Sequence, residues 1–207
     1  MIDKTSAYNT SVYTQEELSI DHASVESYLT HIAFVFLIGG LAGWLYEVFI
    51  GAPLNGEPID LGHGGLGIPF LMIYAIGSVS IELVFGLNRK PLPAVIQLLG
   101  STLLATTLEY SSGLIMLHVL QVQAWDYRIP GWDFLTTPDG LICLRASLTF
   151  GVMGLLQLRV IDRLYEWLAR KNFWVLLVVV WGLIAAVTLV LLKALLFHAV
   201  DVGDIWR

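Results

Sequence analysis

The chain has 207 residues, of which 57% are apolar and only 14% charged, with a formal net charge of −6. Mean hydropathy is +0.74 at a mass of 22.9 kDa. Soluble domains carry about 25% charged and about 45–50% apolar residues, and a chain this small has too little interior to hide such an excess from water. The expected fold is therefore all-α, a polytopic helical bundle with lipid on its outside. The acidic balance excludes the basic face of a nucleic-acid binder. A single cysteine, Cys143, excludes an internal disulfide, and no G-x-x-x-x-G-K-[ST] loop offers a nucleotide site.

Residues 1–26 are polar, with Asp3, Glu16, Glu17 and Asp21 set against Lys4. A secretory signal starts short and basic, so this stretch reads as a cytoplasmic segment ahead of a retained anchor. Five apolar segments then have the length that about 30 Å of hydrocarbon demands: about 27–50, 66–86, 94–120, 141–162 and 173–198, with a short outer tail over 199–207. The breaks between them are chemical: Gly51-Ala-Pro-Leu-Asn-Gly56 with Pro58, Asn88-Arg-Lys-Pro91 with Pro93, then Pro130, Gly131, Pro138 and Gly140.

Lysine and arginine are retained on the cytoplasmic side. With the amino terminus inside, that side holds seven: Lys4, Arg89, Lys90, Arg159, Arg163, Arg170 and Lys171. The other side holds two, Arg128 and Arg207. The orientation expected is amino terminus in, carboxyl terminus out, at a plasma membrane. Residues 121–140 carry Trp125, Tyr127, Trp132 and Phe134, aromatics expected to lie in the outer headgroup layer. No internal repeat of the inverted-transporter kind is visible.

Ionisable residues inside apolar segments are costly and tend to face protein or water. At a rise of about 1.5 Å per residue, Glu47, Glu109 and Arg145 fall at depths where they can meet. Two readings stand side by side. One is a structural ion pair pinning three helices together. The other is an outward-opening polar pocket, in which two carboxylates against one guanidinium leave a shared proton or room for a cation. Trp44 shares a helix face with Glu47. Gly39, Gly40 and Gly43 form a small-residue face suited to helix packing. His63-Gly-Gly-Leu-Gly67 is glycine-rich but lacks the context of a phosphate loop. Glu82 and Lys193 are expected to snorkel to the interface, and Cys143 to pack. The histidines show no ligand spacing, so no metal and no cofactor is expected.

The motifs Gly43-Trp-Leu-Tyr-Glu47, His63-Gly-Gly-Leu-Gly-Ile-Pro-Phe-Leu-Met-Ile-Tyr74, Leu108-Glu-Tyr110, Trp125-Asp-Tyr127 and Gly140-Leu-Ile-Cys-Leu-Arg145 follow one another in this order. In that order and spacing the chain resembles the type IV ABC-transporter family of small bacterial multi-pass membrane proteins, over about residues 38–156. His63, Gly65, Ile68, Met72 and Ala75 depart from the family's Arg, Phe, Gly, Pro and Gly, and Leu117 from a position often acidic. The polar set left is Glu47, Glu109, Asp126 and Arg145.

The resemblance implies a permease-like subunit with no ATPase motif of its own. It would work in a homo-oligomer or hetero-complex, with membrane lipid around it and a separate ATPase subunit docked on Arg89-Lys90 and residues 159–171. A second possibility is an intramembrane enzyme acting on a lipid or lipid-linked headgroup. There Glu47 or Glu109 would be a general base, Arg145 would hold an anion, and Tyr74, Tyr110 and Tyr127 would line the slot. A third is a non-transporting scaffold or sensor. The candidate binding residues are Glu47, Glu109, Arg145, Tyr74, Tyr110, Asp126, Tyr127, Trp44 and His63.

Overall fold

A computed structural model describes residues 4–63, 67–86, 92–131 and 133–196, with side chains from residue 25 onward, Leu195 apart. Among these residues every regular element is a helix. Helix α1 (Lys4–Tyr46) continues through a π turn over Glu47–Gly51 into a last turn, Ala52–Leu54. Helix α2 (Met72–Ile81) runs into a π turn over Glu82–Gly86. Helix α3 is Ala94–His118. Helix α4 starts at Leu144–Leu156, passes a π turn over Gln157–Ile161, and continues as Asp162–Leu196. The polar amino-terminal stretch is thus helical from Lys4, while the tail expected over 199–207 lies outside the described residues.

The last helix is folded in two. Asn172 has φ −162° and ψ 91°, extended rather than helical, and its Oδ1 accepts a hydrogen bond from the Val175 amide at 3.2 Å. Asparagine is a preferred N-cap, so Asn172 ends one arm and starts the next. Contacts confirm the reversal. His31 faces Asp162 at 3.4 Å, and its neighbour Thr30 accepts from Trp181 Nε1 at 3.3 Å. On a straight helix Asp162 and Trp181 would stand about 28 Å apart. The two arms, residues 144–171 and 173–196, therefore pass one another beside α1. Ala33 and Phe34 of α1 bury Tyr165 from one arm and Leu176 and Val180 from the other.

Two segments, Val25–Leu54 and Leu144–Ala194, are long and apolar enough to cross a membrane; Met72–Gly86 is shorter. That shortness corrects the segment expected from residue 66. Helix begins only at Met72, and the chain just before it is irregular backbone laid against α1. The Leu71 amide donates to the Gly40 carbonyl at 3.0 Å. Gly40 faces the Phe70 ring, Gly43 faces Tyr74, and Gly39 faces Ser78. A side chain at any of the three would occupy space these groups fill, so the glycine face receives both a half-length helix and the strand-like lead into it. The Leu71 amide is thereby satisfied by protein, as buried backbone requires.

Helix α3 packs along the 144–156 part of α4, where Gly151 meets Thr102 and Gly154 meets Ser101. Its opposite face stays apolar and open: Val95, Leu99 and Leu103, four residues apart, are 64%, 61% and 71% exposed. Residues spaced by four share a helix face, and an apolar stripe this bare fits lipid rather than water. Arg159 ties the start of α3 in place, donating from Nε to Gln97 Oε1 at 2.7 Å and from Nη2 to the Leu92 carbonyl at 3.1 Å.

Candidate functional site

Residues 55–63, 121–131 and 133–142 gather at one end of the bundle, called here the loop end. From it a cavity of about 920 Å³ descends between α1, α2, α3 and the first arm of α4. Its mouth is set by the exposed Glu57, Asp60 and Asp126, its wall by Glu47, Tyr74, Glu109, Trp125, Tyr127 and Phe150, and its floor by Ile81, Gln157 and Ile161. Five carboxylates line this space and, among the described residues, no lysine or arginine does.

The connection over residues 121–140 makes the wall. It was expected in the headgroup layer, and Phe134, at 71% exposed, does point outward. Trp125 and Tyr127 instead turn in. Trp125 Nε1 donates to the Leu141 carbonyl at 3.0 Å, and the Tyr127 amide to the Gly140 carbonyl at 2.8 Å. Gly140 has φ +76°, a conformation that L side chains rarely adopt. A Cβ there would also run into Asp126. Trp132 lies outside the described residues. Asp126 is held at the mouth by Arg128, whose Nε and Nη2 reach its two oxygens at 2.9 and 2.5 Å. That pairing holds the Asp126 carboxyl below its ordinary range.

Each deep carboxylate meets one tyrosine. Tyr127 Oη donates to Glu109 Oε1 at 2.6 Å, and Tyr74 Oη donates to Glu47 Oε1. Burial, reinforced by the adjacent Glu109, pushes the Tyr127 hydroxyl well above the usual phenol range, so it stays a donor at any ordinary pH. Glu109 is 6% exposed; its Oε2 is out of solvent with no hydrogen-bond partner. Glu47 sits at the first position of its π turn, and its carboxylate occupies the place where a side chain on Gly51 would be. Such turns occur often at functional sites.

The other sequence-derived candidates divide. Trp44 is buried and its Nε1 donates to the His63 carbonyl at 3.1 Å, fixing the chain beside the mouth; His63 lines the cavity. Arg145 stands off the main cavity. With Glu47, Tyr74 and Tyr127 it lines an adjoining recess of about 20 Å³, and its Nη2 donates to Asn55 Oδ1 at 2.9 Å. Tyr110 is not part of the wall. Cys143 is fully buried, as packing requires, and its sulfur also accepts from the Ala146 amide at 3.4 Å, capping α4.

The model of the family described as "Putative ABC-transporter type IV" matches residues 34–198. The chain belongs to that family. This membership and the two long apolar helices make it an ABC-transport-related membrane protein. The match takes in all of the cavity's lining and the two arms of α4. No curated protein and no solved structure shows significant similarity to the chain.

Sequence reasoning missed a second polar cluster, at the end of the bundle away from the loops. Glu82, expected to snorkel, is 2% exposed. Its Oε1 lies 3.9 Å from His31 Nδ1, while His31 Nε2 lies 3.4 Å from Asp162 Oδ1. One signal was present. Glu47-Val-Phe-Ile-Gly51 and Glu82-Leu-Val-Phe-Gly86 share a Glu-x-x-x-Gly pattern, and both form π turns in which the glycine makes room for the carboxylate. Histidine spacing in sequence carried no such signal, because the three groups come from three separate helices.

Proposed function

We propose that the chain is the membrane-embedded, permease-like subunit of an ABC-type transport system, and that its cavity admits a cationic solute from outside the cell. Five passes through the plasma membrane follow from the five apolar segments, and amino terminus in with carboxyl terminus out from the distribution of lysine and arginine. The short α2 and its irregular lead together make one of the passes. In that orientation the acid-lined mouth faces outward, and the basic segments near Arg89-Lys90 and residues 159–171 face the cytoplasm. A separate ATPase subunit would dock there, within a homo-oligomer or hetero-complex.

The observation that carries this reading is the lining: five carboxylates, no lysine or arginine among the described residues, and aromatic walls at Tyr74, Trp125, Tyr127 and Phe150. Such a space favours positive charge, and aromatic faces add to the attraction for a desolvated cation. A headgroup enzyme is less well supported, because Arg145, its anion holder, lines the side recess rather than the cavity.

The test is binding by the full chain in lipid nanodiscs of two probes of matched shape, tetraphenylphosphonium and tetraphenylborate. The cation should bind, and Glu109→Gln should weaken it at least tenfold while the protein stays monodisperse; the anion should not bind. Equal binding of both probes, or unchanged affinity in Glu109→Gln and Glu47→Gln alike, rejects the reading. Pull-down of the chain from its native membrane should bring a subunit that hydrolyses ATP.

A further inference from the structure

We infer that His31, Glu82 and Asp162 form a binding site for a divalent first-row transition-metal ion beneath the floor of the cavity. The inference goes beyond the cation-cavity reading and does not rest on it.

The three residues come from α1, the α2 π turn and the start of the Asp162–Leu196 segment, and one donor atom from each lies within 4.8 Å of the other two. All three carry an atom that is out of solvent and without a hydrogen-bond partner: His31 Nε2, Glu82 Oε2 and Asp162 Oδ1. Glu82, at 2% exposed, is the least solvent-exposed carboxylate among the described residues. Orphaned polar atoms in a buried place are rare and call for a cause. Here the three residues that carry them come together. His31 Nε2 and Asp162 Oδ1 stand 3.4 Å apart without the geometry of a hydrogen bond. Two ligand atoms about 2.0–2.1 Å from a tetrahedral ion are separated by about 3.4 Å, so this spacing is what an intervening metal needs.

Charge points the same way. Two carboxylates face a single imidazole, and a buried carboxylate such as Glu82 calls for a partner or a metal. Arg159, on the preceding turn, is committed to Gln97 and Leu92. One nitrogen with two oxygens suits borderline ions such as Zn²⁺, Mn²⁺ or Co²⁺ better than the all-oxygen shells of Ca²⁺ or Mg²⁺.

The surroundings hold the ligands in place. The Tyr165 ring stacks on His31 at 4.4 Å between centroids, and Tyr165 Oη donates to the Ser27 carbonyl at 2.8 Å. One ligand opens a π turn and another immediately follows one. Ile81 and Ile161, on the cavity floor, directly precede Glu82 and Asp162, so an ion held here would join the two helices that close the cavity from below.

The experiment is Co²⁺ titration of chelator-stripped full-length protein in nanodiscs, read by d–d absorption and by metal content after equilibrium dialysis. The expected result is saturable binding of one ion per chain, displaced by Zn²⁺. His31→Ala, Glu82→Gln and Asp162→Asn should each weaken it at least tenfold, and His63→Ala should leave it unchanged. Absence of saturable binding to the wild-type protein overturns the inference whatever the variants do, as does affinity retained in His31→Ala. Because His31 lies outside the cavity lining, His31→Ala should still bind tetraphenylphosphonium as the wild type does, which separates failure of this site from failure of the cavity.

Discussion

The two ends of the bundle bury carboxylates in opposite ways. Toward the loop end, Glu47 and Glu109 each receive a tyrosine hydroxyl and share a cavity that opens to solvent-exposed residues. At the far end, Glu82 and Asp162 share one imidazole, and three of the cluster's atoms lack a hydrogen-bond partner. About sixteen residues of α1 separate His31 from Glu47, or roughly 24 Å. The same local device, a π turn with glycine four residues after glutamate, serves both places. What differs is the supply of donors. A carboxyl met by a phenol has one oxygen satisfied beside an open cavity, whereas in the group of three every residue carries an atom without a partner.

That contrast can be broken most severely at the paired glycines. Gly86→Ala places a methyl group where the Glu82 carboxylate lies, and Glu82 has no solvent to retreat into. Overpacking of this kind costs about 1–3 kcal/mol. Gly51→Ala presses on Glu47, which is half-buried beside an open cavity, and should cost well under half as much. Thermal unfolding in nanodiscs ranks the two; equal losses would mean that the carboxylates are no differently confined.

A smaller effect is expected from the tyrosines. Tyr127→Phe leaves Glu109 Oε1 without its donor in addition to the bare Oε2 and should cost about 1.5 kcal/mol. Tyr165→Phe removes only the bond to the Ser27 carbonyl, keeps the ring on His31, and should cost about 0.5 kcal/mol with Co²⁺ affinity unaltered. A Tyr165→Phe protein that loses metal would show that the hydroxyl, not the ring, orients the imidazole.

The smallest effect belongs to the mouth. Asp126 and Asp139 are held below the ordinary carboxylate range by Arg128 and by the Thr137 hydroxyl respectively. Depressed folded-state values mean a stabilising contribution present above the unfolded value of about 3.9 and lost as pH falls through the lower folded one. Protease cleavage within residues 121–140 should therefore be flat from pH 8 to 5 and rise modestly below about pH 4. Asp126→Asn should show the faster cleavage already at pH 7.

Most of the helical layout was legible because proline, glycine and charge interrupt the apolar runs where helices stop. Ala94–His118 and the restart after Asn172 fall close to the expected bounds. The lead into α2 was not, since Gly-Leu-Gly-Ile-Pro-Phe-Leu is as apolar as a helix; only its seat against Gly40 reveals that the backbone is not helical. Glu47 and Glu109 stood out because charge is conspicuous in an apolar run. Depth placed Arg145 with them, and it does share the side recess with Glu47, yet it does not line the cavity that holds Glu109. The cluster of His31, Glu82 and Asp162 was illegible for a plainer reason. Three single residues on three helices have no spacing to read, and Asp162 sat in a stretch that looked like an ordinary charged helix end.

The hydrogen bond from Leu71 to Gly40 bears on how the chain enters its membrane. A 15-residue apolar helix, Met72–Gly86, falls short of the about 20 that a translocon integrates unaided, and its lead carries peptide groups that hydrocarbon would reject. Helix α1 offers both a glycine groove and a waiting carbonyl, so on the proposed five-pass reading the two are expected to go in as a hairpin, which glycosylation mapping of Gly40→Leu during synthesis would check. Biogenesis, more than the finished protein's stability, would then be what a bulky residue at Gly40 destroys.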